Sequence, residues 1–294
     1  MQGKELMVQD HGQVGTVHQA GNDHQVLAMW LHGRPQTTQR AYTYEVQRML
    51  AALDKPLQRI TLGNLQGYFG TLTGLAPASQ ARAIHATKSL FAFAKKIGYL
   101  GFNPGAAILS PKIKKNLAER IVPEAQVHRL LALEPHPRNR VLLRLLYAAG
   151  GRVSEICNLK WRDVQPRDAA GQITIFGKGG KTRTVLLSAD TWAELITLQG
   201  DAGPDAPVFV SRKGQGHLHP SQAWRIVRAA AERAGVDLPV SPHWLRHAHA
   251  SHALDRGCPI HLVQATLGHA SVATTGKYLH ARPEDSSARY LASW

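Results

Sequence analysis

The segment QITIFGKGGKTRTVLL, residues 172–187, decides the fold class of a chain whose other segments have a helical period. Apolar and polar residues alternate on both sides of a glycine-rich turn, which is the period of a half-buried strand. Two such runs joined by a short turn predict an antiparallel hairpin. The run PVFVS, residues 207–211, predicts a third strand. We therefore expect a mainly α fold that carries one small antiparallel sheet.

Helical periods flank the hairpin on both sides. Before it, RNRVLLRLLYAAG ends at Gly150 and Gly151, and RVSEICNL begins another helix. After it, SPHWLRHAHASHALDRG has a serine where a helix is capped and a proline at the first helical position. PIHLVQATLG and SVATTGKYL predict two further short helices. The hairpin is thus the β part of an α+β domain.

Two domains are predicted because the periodicity of apolar residues changes along the chain. Residues 36–108 have the period of several helices, whereas NPGAAILSPKIKKNLAER has none and predicts a linker at residues 109–120. Residues 121–294 form the second domain, which contains the hairpin. Residues 1–35 are rich in Gln, His and Gly and predict a loosely ordered segment with one helical piece at HQVLAMWLH.

The net charge of this 294-residue chain is +15, and it is spread over both parts: residues 1–120 carry +8 and residues 121–294 carry +7. A basic excess on both domains favours a polyanion partner, most simply double-stranded DNA, over the alternative that the charge serves solubility alone. We predict DNA contacts from seven basic residues in the N-terminal helices and the hairpin turn: Arg40, Arg82, Lys88, Lys95, Lys96, Lys181 and Arg183.

Other classes of protein are disfavoured by composition. Two distant cysteines, Cys157 and Cys258, make neither a disulfide framework nor a zinc ribbon. The N-terminus is polar, unlike a signal peptide, and no apolar run is long enough to cross a membrane. We expect a cytoplasmic, nucleoid-associated prokaryotic protein with no membrane partner.

Six residues in the second domain have the side chains that phosphoryl transfer without a metal requires. Two arginines can hold the nonbridging oxygens of a phosphate, a lysine can protonate a leaving oxygen, and a tyrosine can form a covalent intermediate. Tyrosine is useful in this role only where cations stabilise its phenolate. Each residue taken alone is an ordinary surface or core residue, so the hypothesis depends on the set: Arg152, Lys178, His243, Arg246, His269 and Tyr278.

The histidine density of HWLRHAHASH also raises the possibility of a zinc site, which we reject. The helix has no glutamate at the metalloprotease position and no cysteine among the histidines, and Arg246 would repel a metal ion. We interpret His247, His249 and His252 as packing or solvent-facing residues. No metal and no other cofactor is expected.

These residues stand in motifs that resemble those of the tyrosine recombinase, or phage integrase, family, in its Xer-like form. AAGGRVSEICNLKW is similar to the first arginine motif, with Glu155 supporting Arg152. GKGGKTRTVLL resembles the hairpin that carries the lysine, SPHWLRHAHASHAL the second motif and LGHASVATTGKYLH the third. The second motif departs from the common pattern at Trp244 and His249, neither of which is a catalytic position.

The resemblance implies a two-domain clamp on DNA, with a helical core-binding domain at 36–108 and a catalytic domain at 121–294. It implies four protomers on two DNA sites, a 3′-phosphotyrosyl intermediate at Tyr278, and no need for metal or ATP. The apolar tail residues Tyr290, Leu291 and Trp294 are expected to dock on a neighbouring protomer or on their own domain.

Three alternatives stay open at this point. The chain could act with a partner recombinase, it could be a type IB topoisomerase-like nicking enzyme, or it could be a catalytically silent DNA-binding protein of the same fold. The motifs do not distinguish chromosome-dimer resolution, phage integration, transposition and plasmid resolution. The lack of a long arm-binding domain favours a simple Xer-like or transposon-type enzyme.

Overall fold

The computed structural model divides the chain into two compact units, Met1–Lys114 and Lys115–Trp294. The division falls inside the predicted linker at residues 109–120. The structure describes residues 19–111, 117–177, 180–212, 214 and 216–279. Lys178 and the tail residues Tyr290, Leu291 and Trp294 lie outside the described residues.

The N-terminal unit is helical throughout its described part. Its elements are α1 (Asp23–Leu31), α2 (Gln36–Leu53), a 3-10 turn (Leu57–Arg59), α3 (Leu62–Gly70) and α4 (Pro77–Lys96). Helices α2 and α4 pack against each other through apolar faces with helical spacing, among them Val46, Met49, Leu90 and Phe91. Thr61 caps α3 by accepting a hydrogen bond from the Asn64 amide, 3.3 Å away.

Helix α1 lies within the segment that we expected to be loosely ordered, and it is packed. Val26 and Trp30, four residues apart, are both buried, and the Trp30 ring stacks on Tyr42 with centroids 5.3 Å apart. Asp23 accepts hydrogen bonds from the Leu57 amide at 2.9 Å and the Tyr99 hydroxyl at 2.7 Å. The apolar face of α1, with Leu27 and Leu31 packed beside Val26 and Trp30, docks this helix, although residues 1–35 as a whole are polar.

The C-terminal unit surrounds one very apolar helix. Its helices are α5 (Glu124–Ala132), α6 (Pro137–Ala148), α7 (Val153–Cys157), α8 (Ala189–Ile196), α9 (Pro220–Arg233), α10 (Pro242–Asp255), α11 (Ile260–Leu267) and α12 (Val272–Gly276), with 3-10 turns at Ala118–Arg120 and Trp161–Asp163. Leu142, Leu143, Leu145 and Leu146 of α6 are fully buried. Helices α7, α8, α9 and α10 all contact α6, which makes it the centre of the core.

The sheet has three antiparallel strands in the order β1-β2-β3, with bounds β1 (Val164–Arg167), β2 (Ala170–Phe176) and β3 (Thr182–Leu187). Ile173 and Ile175 of β2 point into the core, as the alternation predicted. Our prediction of the third strand was wrong. Residues 207–211 make only isolated bridges, and β1 takes that place, because Pro166 hides the strand pattern without preventing an edge strand from pairing.

Helix packing determines where the functional residues meet. Helix α10 packs on α6 and α11, and α11 packs on β3. The N-terminus of α7, the body of α10 and the C-terminus of α11 therefore lie beside one end of the hairpin. Among the described residues, no helix is both long and apolar enough to span a membrane.

Candidate active site

Arg152 precedes α7, and Glu155 belongs to the first turn of that helix. The Glu155 carboxylate accepts a hydrogen bond from the Arg152 amide at 2.9 Å and another from Arg152 Nη1 at 2.7 Å. A carboxylate in the first helical turn is also favoured by the helix dipole. Glu155 thus holds the arginine side chain, which remains 39% exposed to solvent and free to meet a ligand.

Arg183 on β3 braces the other side of Glu155. Its Nη2 donates to Glu155 Oε2 at 2.7 Å, and its Nε donates to the Thr266 carbonyl oxygen at 2.6 Å. The side chain is only 11% exposed. These two bonds tie the hairpin to α7 and α11. Arg183 also lines the surface cavity of the site, and its contact with DNA stays a prediction.

The carboxylate of Glu155 is stabilised in its charged form. Burial alone would raise its pKa, but the hydrogen bonds from Arg183 and Arg152 prevail and hold the pKa below its ordinary value of 4.5. A folded-state pKa below the unfolded value means that the charged group stabilises the fold above the unfolded pKa. That stabilisation is lost as pH falls through the folded pKa.

We expect Glu155→Gln to lower the free energy of unfolding at neutral pH by on the order of 3 kcal/mol, because a buried ion pair is broken. Both carboxylate oxygens accept from arginine, whereas the amide nitrogen of glutamine would face a guanidinium donor. Urea denaturation across pH should show wild type and variant converging in acid, below the folded pKa of Glu155. A difference that persists unchanged in acid would contradict this account.

The matched control is Glu232→Gln. Glu232 pairs with Arg228 at 3.4 Å on the exposed surface of α9. Exposed pairs of this kind contribute up to about 1 kcal/mol. The control should therefore change stability little at any pH.

Arg246 of α10 is almost entirely buried, at 5% exposure. Its Nη1 donates to the Gly150 carbonyl oxygen at 2.5 Å and its Nη2 to the Leu267 carbonyl oxygen at 2.6 Å. Burial and the neighbouring charge of Arg152 lower its pKa to about 10, so the guanidinium is still charged at neutral pH. The residue joins the loop before α7 to the end of α11.

Two glycines make this approach possible. Gly150 has φ +55°, and a Cβ there would lie 2.6 Å from Leu267 Cδ2 and 2.9 Å from His249 Cδ2. Gly268 ends α11 with φ +63°, and a Cβ there would lie 3.2 Å from Arg183 Nη1. Both the backbone conformation and the lack of space require glycine at these positions.

Tyr278 lies just after α12, close to His269 at the start of the loop before that helix. The two rings are nearly parallel, 4° apart, with centroids separated by 6.5 Å. His269 Nδ1 hydrogen-bonds Thr275 Oγ1 at 2.9 Å, which fixes the imidazole. Burial raises the pKa of Tyr278, although the charge of Arg246 acts in the opposite direction. The phenol is therefore neutral at rest and lies in the field of an arginine.

His247 is the residue at this site that the sequence did not identify. Its Nδ1 lies 2.7 Å from the Tyr278 hydroxyl oxygen. The sequence predicts for His247 only a packing or solvent-facing role. The one available signal was its position directly after Arg246 and four residues after His243, on the α10 face that carries both.

The site opens onto a surface cavity of about 790 Å3 whose lining includes Arg152, Lys181, Arg183 and His269. His243 belongs to the same cluster, because burial and then the charges of Arg246 and Arg152 lower its pKa. Gly177, the residue before Lys178, is also close, since a Cβ there would lie 3.6 Å from Glu155 Oε1. Thus the described members of the predicted set converge on one place.

Comparison with known proteins agrees with this geometry. Residues 120–285 match the family described as "Phage integrase family". Tyrosine recombinase XerA of Pyrococcus furiosus is 35% identical over 255 residues, which cover 84% of this chain and 85% of XerA. This protein belongs to the phage integrase family. The resemblance noted in the sequence is confirmed.

Two further comparisons concern a second Xer recombinase and a solved structure with the same fold. Tyrosine recombinase XerC of Xanthomonas campestris pv. campestris is 36% identical over 211 residues, covering 70% of this chain but 65% of XerC. A lambda integrase tetramer bound to a Holliday junction matches with a TM-score of 0.72 and 18% identity over 91% of this chain and 80% of that one. At this identity the second match concerns the fold, and the prediction of fold class is confirmed.

The histidines of α10 have separate roles in this integrase-family protein. His249 packs on Gly150, and His252 Nδ1 lies 2.9 Å from the Tyr147 hydroxyl. Within the part of the chain that the structure describes, no three His, Cys, Asp or Glu side chains are grouped to hold a metal ion. The histidine density is explained by packing and by two His–Tyr hydrogen bonds.

The basic residues predicted to contact DNA from the N-terminal unit of this family member differ in their surroundings. Arg82 Nε donates to the buried Glu45 at 2.8 Å, Lys88 to the Ile108 carbonyl at 2.5 Å, and Lys95 to the Gly101 carbonyl at 2.5 Å. These three side chains brace the unit as well as presenting charge. Arg40 and Lys96 are exposed, as is Lys181 of the hairpin, and their contact with DNA stays a prediction.

Proposed function

We propose that this protein is a site-specific DNA recombinase that cuts and rejoins strands through a covalent 3′-phosphotyrosyl intermediate. The observation that supports it most is the placement of the Tyr278 phenol, buried to 6% exposure beside His247 and His269 and within the field of Arg246. A phenol next to histidine and arginine side chains can act as a nucleophile, because a base can take its proton and a cation stabilises the phenolate.

The chemistry follows from the donors at the site. Tyr278 Oη attacks phosphorus while a nearby base takes the phenol proton; a P–O bond to the phenol forms, and the P–O5′ bond breaks as the leaving oxygen is protonated. A guanidinium has five N–H donors, and Arg246 spends two of them on carbonyl oxygens, so others can bind a nonbridging phosphate oxygen together with Arg152. These cations neutralise the charge that builds at phosphorus.

We assign the remaining proton transfers to Lys178, His243 and His269. Lys178 protonates the leaving 5′-oxygen, and the histidines donate to the phosphate once its negative charge favours their protonation. In the resting site, burial and nearby arginines lower the pKa of His269 to about 4. An incoming phosphate places a negative charge beside the imidazole, which opposes the effect of the arginines and raises this pKa.

Rejoining is the reverse reaction with a different strand. The 5′-hydroxyl of a partner strand attacks the phosphotyrosyl phosphorus, which releases the phenol. The phosphodiester bond energy is conserved in the protein–DNA link, so neither ATP nor a metal ion is part of the proposed cycle.

Strand exchange requires several protomers on two DNA sites. We propose a homotetramer, in keeping with the lambda integrase tetramer on a Holliday junction that shares this fold. The helical unit at residues 36–108 acts as the core-binding domain, and residues 121–294 carry the chemistry, in the cytoplasm and on chromosomal DNA. The tail residues Tyr290, Leu291 and Trp294 remain candidates for docking on the next protomer.

The deciding experiment has two stages. Sites selected from random DNA by the wild-type protein are first built into a substrate with a nick beside the cleavage point, which traps the adduct because the short 5′-hydroxyl strand diffuses away. Two copies of the site are then placed on one supercoiled plasmid. Recombinants that require both copies support the proposal, whereas relaxation without a site would indicate a topoisomerase-like enzyme, and binding without an adduct a silent protein.

The charge of +15 leads to a separate prediction about salt. If six or more phosphates are neutralised, affinity for DNA should fall by about a thousandfold or more between 50 and 200 mM salt, because counterions are released on binding. Fluorescence anisotropy with one labelled duplex measures this directly. A flat response would mean that the basic excess does not contact the DNA backbone.

A further inference from the structure

The hydrogen bond between Tyr278 and His247 is the feature of the site that the proposed chemistry does not yet use. It is 2.7 Å long and joins two residues 31 positions apart, on α10 and after α12. Among the residues that the structure describes, His247 is the hydrogen-bond partner of the Tyr278 hydroxyl. The two rings are tilted by 46° with centroids 5.7 Å apart.

The protonation state of His247 determines which of the two groups donates this hydrogen bond. Burial lowers its pKa to about 4, and the charges of His243, Arg120 and Arg246 act in the same sense. The imidazole is therefore neutral at pH 7. In the tautomer that carries its proton on Nε2, Nδ1 is an acceptor and the phenol donates to it.

A hydrogen bond from the phenol controls where its oxygen can react. Conjugation with the ring keeps the hydroxyl hydrogen near the ring plane, and an acceptor on one side selects one of two orientations. The oxygen lone pair that attacks phosphorus is then held in a fixed direction. Misplacement of a reacting atom by about 1 Å can cost on the order of a hundredfold in rate.

We propose that His247 is a positioning residue that holds the Tyr278 hydroxyl for attack on the scissile phosphate. This inference rests on the proposed function and adds to it a residue outside the predicted set. The proposed role of His247 concerns only the step in which Tyr278 is the nucleophile. Arg152 and Arg246 bind the phosphate.

Two substitutions separate the hydrogen bond from the shape of the side chain. His247→Leu removes the acceptor but keeps an apolar side chain of moderate size. His247→Asn replaces Nδ1 by an amide oxygen close to the same position and should restore much of the lost rate. At saturating nicked DNA, we expect His247→Leu to form the covalent adduct about ten- to a hundredfold more slowly than wild type, with DNA affinity changed by less than about threefold.

A second substrate tests the rest of the site in a reaction that does not use Tyr278 as the nucleophile. A DNA strand ending in a 3′-(p-nitrophenyl) phosphate can be joined by a 5′-hydroxyl strand, with p-nitrophenolate as the leaving group. This reaction needs the phosphate-binding residues but not Tyr278. We expect His247→Leu to catalyse it at close to the wild-type rate.

The matched control is His252→Leu. His252 makes the same kind of bond on the same helix, from Nδ1 to the Tyr147 hydroxyl at 2.9 Å, but away from Tyr278. The control should not change the ratio of adduct formation to p-nitrophenolate release, and melting temperatures report any loss of folding in either variant.

Four outcomes are decisive. Adduct formation at the wild-type rate in His247→Leu overturns the inference, as does an equal loss in both reactions, which would mean that His247 supports the whole site. Failure of His247→Asn to improve on His247→Leu also counts against it. Failure of wild type to form any adduct would instead overturn the proposed function.

Discussion

The Tyr278→Phe variant is expected to form no detectable covalent adduct with a nicked DNA site that it still binds. Phenylalanine keeps the ring that lies parallel to His269 but removes the oxygen that would bond to phosphorus. The loss should be complete because a covalent step cannot proceed without its nucleophile. Denaturing gel electrophoresis of an end-labelled substrate measures the adduct, and a mobility shift measures binding.

The structural cost of this substitution should be moderate. Within the ranges that the structure describes, the hydroxyl hydrogen-bonds His247, and its loss leaves that half-buried acceptor unpaired, which costs about 1–3 kcal/mol. Tyr147→Phe is the control, since it removes a second tyrosine–histidine bond from the described part of the unit, together with a longer bond from the Tyr147 hydroxyl to Glu124 at 3.4 Å. An adduct that persists in Tyr278→Phe would mean that another residue is the nucleophile, and the assignment of the site would be wrong.

The second large effect is expected for the two arginines, and the structure separates them. Arg152→Ala should slow adduct formation by about a hundredfold or more while weakening DNA binding only modestly, because the arginine acts mainly on charge that develops in the transition state. Glu155 would remain paired with Arg183 at 2.7 Å, and the Arg152 side chain is partly exposed, so the fold should survive. Single-turnover cleavage and equilibrium binding give the two numbers.

Arg246→Ala should lose both cleavage and stability. Its removal leaves the buried Gly150 and Leu267 carbonyl oxygens without their charged donors, at about 1–3 kcal/mol for each group. Chemical denaturation should therefore distinguish this variant from Arg152→Ala. Arg162→Ala, which breaks an exposed pair with Asp205, controls for the loss of one positive charge. If binding and cleavage collapse equally in Arg152→Ala, that residue supplies affinity instead of catalysis.

Much of the fold could be predicted because its signals are local. The alternation of residues 172–187 predicted two strands that the structure contains, and helical periods and caps predicted helices such as α3 and α10. The third strand was misplaced because Pro166 disguises β1, and a strand forms there only because β2 offers it a partner. The packing of α1 was missed because the polar composition of residues 1–35 as a whole conceals one short apolar helix.

The candidate site was predicted in part for a similar reason. Arg152, Arg246, His269 and Tyr278 stand in recognisable motifs, and the structure brings them to the ends of α7, α10 and α11. The role of Arg183 could not be read from the hairpin, since its bonds to Glu155 and Thr266 depend on the packing of α11 against β3. In a chain with many basic residues, the sequence does not indicate which of them face solvent and which pair with a carboxylate.

The sequence by itself determined the family, the mainly helical fold with one hairpin, and the residue types that phosphoryl transfer needs, because each depends on periodicity or on motifs within about fifteen residues. Only the tertiary structure decided which basic side chains form ion pairs or hydrogen bonds inside the protein and which are exposed to solvent. It also decided that His247 lies against the phenol. These contacts join residues up to 96 positions apart, and their geometry is fixed by close packing around α6, not by any local pattern.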